Sequence, residues 1–395
     1  MLAIGALPAV VKADSLGISP FPYFTMLAVS TVYIGSKRGL LNREMEYISI
    51  KQGAAAPFVL SLSLFGVYIV SKLEISLETF ITGYFFFLET LAGCFSLSTV
   101  FGIIGKRIGE QPVATIDPEK ASWLLQASGE ETDEGTTRGK GSGTGTGPPS
   151  SVDVMPSFLL SCAGGLLLAF LERFVLHDNF TLNNIEACFI VMTWLEVLGV
   201  SSYKTAVTLL FGLLFYDVFW VFGSGRALKL ASEVSGVEGL TPKNGSVMAD
   251  VAMSPLISVP TKLLFPRAGD LAPAFKYSLL GLGDILVPGL LIGLLLRFDV
   301  NGGKGKGKGK GKGEGEGAEP RPYFRTALVA YGVGLLSSFT AAIITREGQP
   351  ALLYLVPLVV SSSVAIGVQR AELGSLWAFR TKNKAAATAA KEGKP

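Results

Sequence analysis

The sequence has few charged residues, and this excludes most soluble folds. Charged residues make up 16% of the 395 positions and hydrophobic residues 49%, and the mean hydropathy is +0.47. A soluble globular domain has about 25% charged residues. The composition therefore predicts a polytopic membrane protein. The charges are also nearly balanced, with 34 basic and 31 acidic residues, which argues against nucleic-acid binding.

The sequence is equally poor in histidine and cysteine, which excludes several kinds of catalytic site. A zinc protease with an HExxH motif needs two histidines, and His177 is the only one. A serine–histidine pair would depend on that same residue, at the edge of a predicted membrane segment. The three cysteines, Cys94, Cys162 and Cys188, lie in apolar segments, so no disulfide framework is expected. No metal site and no cofactor are predicted.

Apolar stretches close to the length of a membrane-spanning helix, about 20 residues, recur along the chain. Nine are found, and eight is the alternative count because the first and fifth are short. The prediction is an all-α membrane protein with about nine transmembrane helices. The first twelve residues are apolar but lack a basic start, so a cleaved signal peptide is not favoured. The nine stretches are 20–36, 54–71, 80–104, 155–172, 185–200, 204–223, 277–296, 324–344 and 349–369.

Lysine and arginine indicate the orientation of these spans, because basic loops tend to stay in the cytosol. With the N-terminus lumenal and the C-terminus cytosolic, 24 of the 34 basic residues fall on the cytosolic side. Two N-x-S/T sequons, at Asn179 and Asn244, then lie on the lumenal side, where N-glycosylation can occur. Such sequons are common by chance, so they support the orientation only mildly.

Two segments of low complexity divide the chain. The Gly-, Ser- and Thr-rich residues 127–151 and the Lys-Gly repeat at 302–317 cannot bury enough apolar surface to fold, and both are expected to be solvated cytosolic linkers. The basic half of the second could also touch anionic lipid. The predicted division is 1–105, N-terminal tail and spans one to three; 106–154, flexible cytosolic linker; 155–223, spans four to six; 224–276, lumenal loop; 277–296, span seven; 297–323, cytosolic tether; 324–369, spans eight and nine; 370–395, cytosolic tail.

Four acids lie inside predicted spans: Glu89, Glu196, Asp217 and Asp284. An ionisable side chain in a bilayer costs several kcal/mol and is usually found facing a protein interior or performing chemistry. Neither aspartate has a basic partner in its own helix, so each is expected to take up a proton or to share one with another acid. Glu89 and Glu196 match no catalytic motif and are interpreted as interior acids of the helix bundle.

The two aspartates are predicted to lie at one depth in the membrane. Asp217 is 13 residues from the cytosolic start of its span near Lys204, or about 20 Å. Asp284 is seven residues below a lumenal start near Tyr277, which places it about 20 Å above the cytosolic face of a core roughly 30 Å thick. Two such carboxylates suit hydrolysis, since the ionised member activates water while the protonated member donates to a carbonyl oxygen.

Three short motifs occur in order, each in or opening a separate span: "YD" at 216–217, "GLGD" at 281–284 and "PAL" at 350–352. Taken alone, Pro350 would only indicate a helix start, and Gly281 and Gly283 would fit helix packing about as well as close approach of another backbone. Together the motifs, with FYDVFWVFG, LGLGDILVPG and QPALLYLVP around them, resemble the presenilin-type intramembrane aspartyl proteases, in particular the signal peptide peptidase branch.

This resemblance implies a presenilin-like fold, an aspartic endopeptidase activity and a set of site residues. Asp217 and Asp284 would be the catalytic pair, and Tyr216 would pack or hydrogen-bond beside the first. The remaining shaping residues would be Gly281, Leu282 and Gly283 near the second aspartate, with Pro350, Ala351 and Leu352 from the last span. The implied substrates are transmembrane peptides, such as remnant signal peptides or type II membrane proteins, cut within the lipid bilayer.

Other interpretations stay open at this point. Mid-membrane acids in helices interrupted by glycine and proline also suit a proton-coupled transporter or channel, and a non-catalytic escort factor for membrane proteins would use the acids only for packing. Homo-oligomerisation is left open. The endoplasmic reticulum is the expected location, but the tail KEGKP lacks a dilysine retrieval signal, so an endosomal or other endomembrane location is an alternative.

Overall fold

Helices dominate this protein. The structure, a computed structural model, describes the following residues: 20–42, 45–73, 78–116, 152–176, 179–235, 241–242, 245–252, 260–266, 277–301, 321–345 and 348–381. Most of the two predicted linkers, including all of 127–151 and of 302–317, lies outside the described residues. The described part confirms the prediction of a mainly helical, membrane-type fold.

Nine helices of at least 15 residues occur in the described ranges, and each overlaps one predicted span. They are α1 Pro20–Leu41, α2 Ile50–Lys72, α3 Glu78–Ile108, α4 Pro156–Phe170, α5 Phe180–Val197, α6 Tyr203–Val218, α9 Gly283–Asn301, α10 Pro322–Thr345 and α11 Leu352–Gln369. Shorter helices are α7 Ser224–Ser235, α8 Val247–Ala252 and α12 Leu373–Ala378.

Within the described residues, six segments are long and apolar enough to cross a membrane, judged by length and composition. They are Ile50–Lys72, Thr79–Ile108, Pro156–Val175, Tyr203–Val234, Pro322–Thr345 and Leu352–Gln369. The other three long helices, α1, α5 and α9, lie further inside the bundle, and most residues of α5 and α9 are buried. Outer helices instead expose large apolar side chains such as Phe58, Leu62 and Phe80, as expected for surfaces that face lipid.

Helix α9 forms the centre of the bundle. Leu291, Leu294 and Leu295 are fully buried, and α9 packs against α1, α5, α6, α10 and α11. Its C-terminal end also holds the next helix in place, because Asp299 accepts hydrogen bonds from the main-chain amides of Tyr323 and Phe324 at the start of α10. An acid in this position satisfies amides that have no partner within their own helix.

In the described ranges, three two-stranded sheets connect helix ends, and none of them was predicted from the sequence. Strands β1 Glu46–Ile48 and β4 Leu198–Val200 are parallel, whereas β2 Ala114–Ile116 pairs with β3 Val152–Val154 in antiparallel fashion. The third pair, β5 Lys262–Pro266 and β6 Tyr277–Gly281, is also antiparallel. Strands of three to five residues are too short to show a clear alternation of apolar and polar residues.

The predicted seventh span, 277–296, is wrong at its start. Its first residues form strand β6, and helix α9 begins only at Gly283, so Asp284 lies in the first turn of the helix and not seven residues inside it. An apolar run alone does not distinguish a buried strand from a helix. The predicted lumenal loop, 224–276, likewise contains α7, α8 and β5.

Candidate active site

Asp217 lies near the C-terminal end of α6 and is 6% exposed. Directly after it, residues Phe219–Gly223 form a π-helical turn that continues into α7. Such turns widen the helix by one residue and occur often at functional sites. The carboxylate is thus held inside a continuous helical segment, among apolar neighbours.

The PAL motif contacts this aspartate through its backbone. The main-chain amide of Leu352 donates a hydrogen bond to Oδ2 of Asp217 at 3.2 Å. Leu352 is the first residue of α11, so its N–H is one of the four that have no acceptor within the helix. The positive end of the α11 dipole therefore faces the Asp217 carboxylate, and Pro350 and Ala351 are buried beside it.

Asp284 is partly buried in the first turn of α9, and its main-chain carbonyl has an unusual partner. In a regular helix this oxygen would accept from the N–H of residue 288, but Pro288 has none. The hydroxyl of Tyr331, on α10, donates to the Asp284 carbonyl at 3.1 Å instead, and Tyr331 is fully buried. Tyr331 was not predicted from the sequence; Pro288, four residues after the acid, was the available signal.

The two aspartates come from helices that pack against each other, α6 and α9. Arg297 near the end of α9 packs its guanidinium against Gly199, just ahead of α6, so these two helix ends lie on the same side of the bundle. Asp217 is 14 residues beyond Tyr203, the first residue of α6, and Asp284 is 13 residues before Arg297. At 1.5 Å per residue, both lie about 20 Å from that end of the bundle. A common depth for the two acids stays a prediction, and Asp284 does not have the seven helical residues predicted before it.

Neither aspartate forms an ion pair within the described part of the chain. Two carboxyl groups that share a site without a cation cannot both carry charge, so such a pair would hold one proton between its members. That protonation state provides one group that can accept a proton and one that can donate it.

The GLGD residues surround Asp284 in different ways. A Cβ added at Gly281 would lie 3.5 Å from Oδ2 of Asp284, whereas one at Gly283 would meet nothing within 4 Å. Leu282 packs into an apolar cluster with Phe189 of α5, and its amide donates to the carbonyl of Thr261. Gly281 therefore lies against the carboxylate, Gly283 faces open space, and Leu282 anchors the segment.

Tyr216 packs beside the first aspartate. Its ring lies 6.4 Å, between centroids, from that of Trp220, in an apolar cluster that includes Tyr68 and Val247. The indole N–H of Trp220 donates to Ser61 on α2. Of the two roles expected for Tyr216, this arrangement favours packing.

The two glutamates have partners elsewhere in the bundle. Glu89 is fully buried and pairs with Arg173 at 3.1 Å, and Glu196 pairs with Arg38. Within the described residues, no group of three or more acids, histidines or cysteines has the arrangement of a metal site. The three cysteines are free thiols.

One of the two sequons can be located. Oδ1 of Asn179 accepts from the amides of Thr181 and Leu182 and caps the start of α5. Asn244 lies outside the described residues. N-glycosylation stays a prediction at both positions.

Comparison with known proteins agrees with the resemblance. The signal peptide peptidase family model matches residues 41–383. Signal peptide peptidase of Mus musculus is 27% identical over 383 residues, which cover 93% of this chain and 85% of the mouse protein.

Two further relatives match over shorter regions. Signal peptide peptidase-like 2B of Homo sapiens is 36% identical over 191 residues, or 46% of this chain and 28% of the human protein. Intramembrane protease 2 of Caenorhabditis elegans is 34% identical over 224 residues, or 56% of this chain and 42% of the nematode protein. The chain thus spans less than two thirds of either relative. Because the family model covers most of the chain, this protein belongs to the signal peptide peptidase family.

Proposed function

We propose that this protein is an intramembrane aspartyl endopeptidase that cuts peptide bonds within transmembrane segments. The observation that carries the proposal is that Asp217 and Asp284 lie on helices α6 and α9, which pack against each other inside an apolar bundle. Neither acid forms an ion pair within the described residues. The names of its relatives, signal peptide peptidase and intramembrane protease, support it. The catalytic residues are Asp217 and Asp284, with the GLGD and PAL residues around them.

The reaction uses the two carboxyl groups as base and acid. The Leu352 amide and the start of α11 place positive partial charge next to Asp217, so we assign the negative charge of the pair to Asp217 and the proton to Asp284. Asp217 removes a proton from water as the oxygen attacks the carbonyl carbon, while Asp284 donates its proton to the carbonyl oxygen. Asp217 then gives its proton to the amide nitrogen as the C–N bond breaks, and Asp284 takes back one hydroxyl proton of the tetrahedral gem-diol. Both carboxyl groups thereby return to their starting states, and no covalent intermediate forms.

A substrate helix has to unwind before this chemistry, since its amides are bonded internally and its carbonyls are shielded. Strand β6 provides an edge for the unwound segment. The main-chain N–H of Leu282 bonds to the carbonyl of Thr261, and in an antiparallel ladder every second residue pair is hydrogen-bonded. The pairs Leu263–Leu280 and Phe265–Ser278 are therefore hydrogen-bonded as well. Leu279 and Gly281 belong to the pairs in between, so their N–H and C=O groups point away from β5. An extended peptide paired there lies next to Asp284.

The test is cleavage of a fluorogenic transmembrane peptide by the purified protein in detergent. Wild type is compared with Asp217→Asn and Asp284→Asn, with folding checked by thermal unfolding. Glu196→Gln is the matched control, because it also neutralises an acid inside a predicted span but lies away from the site. We expect turnover in wild type and the control, and a loss of at least 1,000-fold in both aspartate variants, since each removes one partner of an acid–base pair.

Other outcomes would overturn the proposal. A folded wild type that cuts none of several helix-weakened peptides would favour the transporter or escort interpretation. Variants that still cut would show that the aspartates are not the catalytic groups.

We further propose nine membrane spans, with the N-terminus in the lumen and the C-terminus in the cytosol of an endomembrane compartment, most simply the endoplasmic reticulum. The overlap of nine long helices with the predicted spans supports the count, and the distribution of basic residues supports the orientation. The orientation is tested by enzymatic removal of N-linked glycan from the expressed protein. A fall in apparent mass would show glycan on Asn179 or Asn244, which requires that these residues face the lumen. If the C-terminal tail resisted a protease added to the cytosolic side of intact membranes, the proposed orientation would be wrong.

A further inference from the structure

Two adjacent asparagines, Asn183 and Asn184, lie near the start of α5 and are 7% and 0% exposed. Asparagine is a weak helix former, and an amide buried without partners costs several kcal/mol in an apolar bundle. Two such residues side by side therefore need hydrogen-bond partners. Both find them on strand β5, about 80 residues away in the sequence.

The Asn184 side chain bonds to Leu264 as a neighbouring strand would. Its Oδ1 accepts from the Leu264 amide at 2.7 Å, and its Nδ2 donates to the Leu264 carbonyl at 2.7 Å. The second hydrogen of Nδ2 bonds to the Tyr23 hydroxyl at 2.8 Å. Asn183 Nδ2 donates to the Lys262 carbonyl at 2.9 Å and to Oδ1 of Asn184 at 3.3 Å. The amide of Asn184 thereby uses both donors and both acceptor sites.

The register of the hairpin places these bonds close to the second aspartate in the chain. Leu264 is opposite Leu279, and Lys262 is opposite Gly281. The asparagines thus bind the outer edge of β5 at the two residues that face the last part of β6. Three residues after Gly281 the chain reaches Asp284, and the intervening Leu282 is itself bonded to Thr261, just before β5.

We propose that Asn183 and Asn184 are positioning residues that clamp the β5–β6 hairpin to α5 and so set the place of Asp284 opposite Asp217. The inference rests on the proposed function, since a place for Asp284 matters only if this residue reacts. Without the clamp, the strand that leads into the first turn of α9 belongs to a two-stranded hairpin that is marginal by itself. The place of Asp284 would then depend more heavily on the Tyr331 bond and on the packing of Leu282. A displacement of about 1 Å in a reacting group can reduce the rate on the order of 100-fold.

The first experiment separates positioning from stability. The values of kcat and KM are measured for Asn184→Ala, Asn183→Ala and wild type. The concentration of active sites in each preparation is determined by titration with a tight-binding peptide isostere that contains a hydroxyl group. The control is Tyr203→Phe, which removes one buried hydrogen bond, to Ser363, at the far end of α6. We expect kcat to fall at least tenfold in Asn184→Ala, less in Asn183→Ala, and less than twofold in the control at equal fractions folded.

A second variant restores the clamp through protonation. In Asn184→Asp, the neutral carboxyl group can accept from the Leu264 amide and donate to its carbonyl, whereas the carboxylate cannot donate. The ratio of kcat in Asn184→Asp to kcat in wild type should therefore rise as pH falls. The same ratio for Asn184→Ala should not change with pH. This variant has the same titratable neighbours as wild type, namely Tyr23, Lys262 and Glu186, and it adds no titrating group of its own.

Hydrogen exchange provides a readout that does not depend on activity. Exchange of the peptide that contains Leu264 should accelerate in Asn184→Ala, because the amide loses its acceptor, and should match wild type in the control.

The outcomes distinguish this inference from the proposed function. If wild type cuts and Asn184→Ala has wild-type kcat with only a lower Tm, the asparagines stabilise the fold and the positioning role is wrong. A ratio for Asn184→Asp that stays as low as that for Asn184→Ala at every pH would also contradict it. If wild type does not cut at all, the proposed function fails first.

Discussion

The hydroxyl of Tyr331 donates to the main-chain carbonyl of Asp284, an oxygen that Pro288 leaves without its regular helical partner. A proline four residues after a candidate catalytic acid thus opens a site that a tyrosine from another helix fills. The carbonyl is held at the point where strand β6 turns into α9, so this bond helps to fix the backbone that carries the carboxylate.

Replacing Tyr331 with phenylalanine should therefore lower both stability and activity. The change leaves a buried carbonyl without a donor, which costs about 1–3 kcal/mol. In a Pro288→Ala background, the new N–H of residue 288 can bond to Asp284, so the same change should cost less. Thermal unfolding and kcat of the four proteins in this cycle measure the coupling. Equal losses in both backgrounds would contradict the explanation.

Gly283→Ala should separate folding from catalysis. A Cβ at this position meets nothing within 4 Å, and alanine favours a helix over glycine by about 1 kcal/mol, so Tm should stay constant or rise. If the open space receives the substrate backbone, KM should increase severalfold. Gly332→Ala on α10 is the control, since its Cβ would make only ordinary contacts, at 3.5 Å or more. Unchanged KM would show that the substrate lies elsewhere.

Arg173→Leu should destabilise the protein without a specific effect on chemistry. Arg173 pairs with Glu89 and Glu172, and Glu186 lies near all three. Removal of the cation leaves buried carboxyl groups uncompensated, which typically costs 3–5 kcal/mol. Arg325→Leu, at an exposed site, is the control. Adding Glu89→Gln to Arg173→Leu should recover part of the Tm, and a further loss would argue against this account.

Substrate helices rich in leucine should be cut more slowly than those with glycine or proline near the scissile bond. Leucine favours the helix, whereas glycine and proline weaken it by about 1 and 3 kcal/mol per residue, which lowers the cost of unwinding. Cleavage rates of matched peptides that differ only at two or three positions measure the effect. Equal rates for a helix-broken and an all-leucine peptide would remove unwinding as a slow step.

Much of the helix arrangement could be predicted from the sequence, because apolar length and the positions of acids are local properties. Each predicted span overlaps a long helix, and the three motifs were sufficient to identify the family. The prediction failed where an apolar run had two solutions: residues 277–281 form a strand because β5 is available to pair with them, and this partner is not visible within the run itself.

Composition and local motifs therefore determined the membrane class, the family and the candidate acids. Only the tertiary structure decided how these acids are held. The Leu352 amide reaches Asp217 across 135 residues, Tyr331 reaches Asp284 across 47, and Asn184 reaches Leu264 across 80. Each of these bonds satisfies a buried polar group that has no donor or acceptor nearby in the chain. Which residues form these bonds depends on which helices and strands pack together, and the local sequence around each residue does not show that packing.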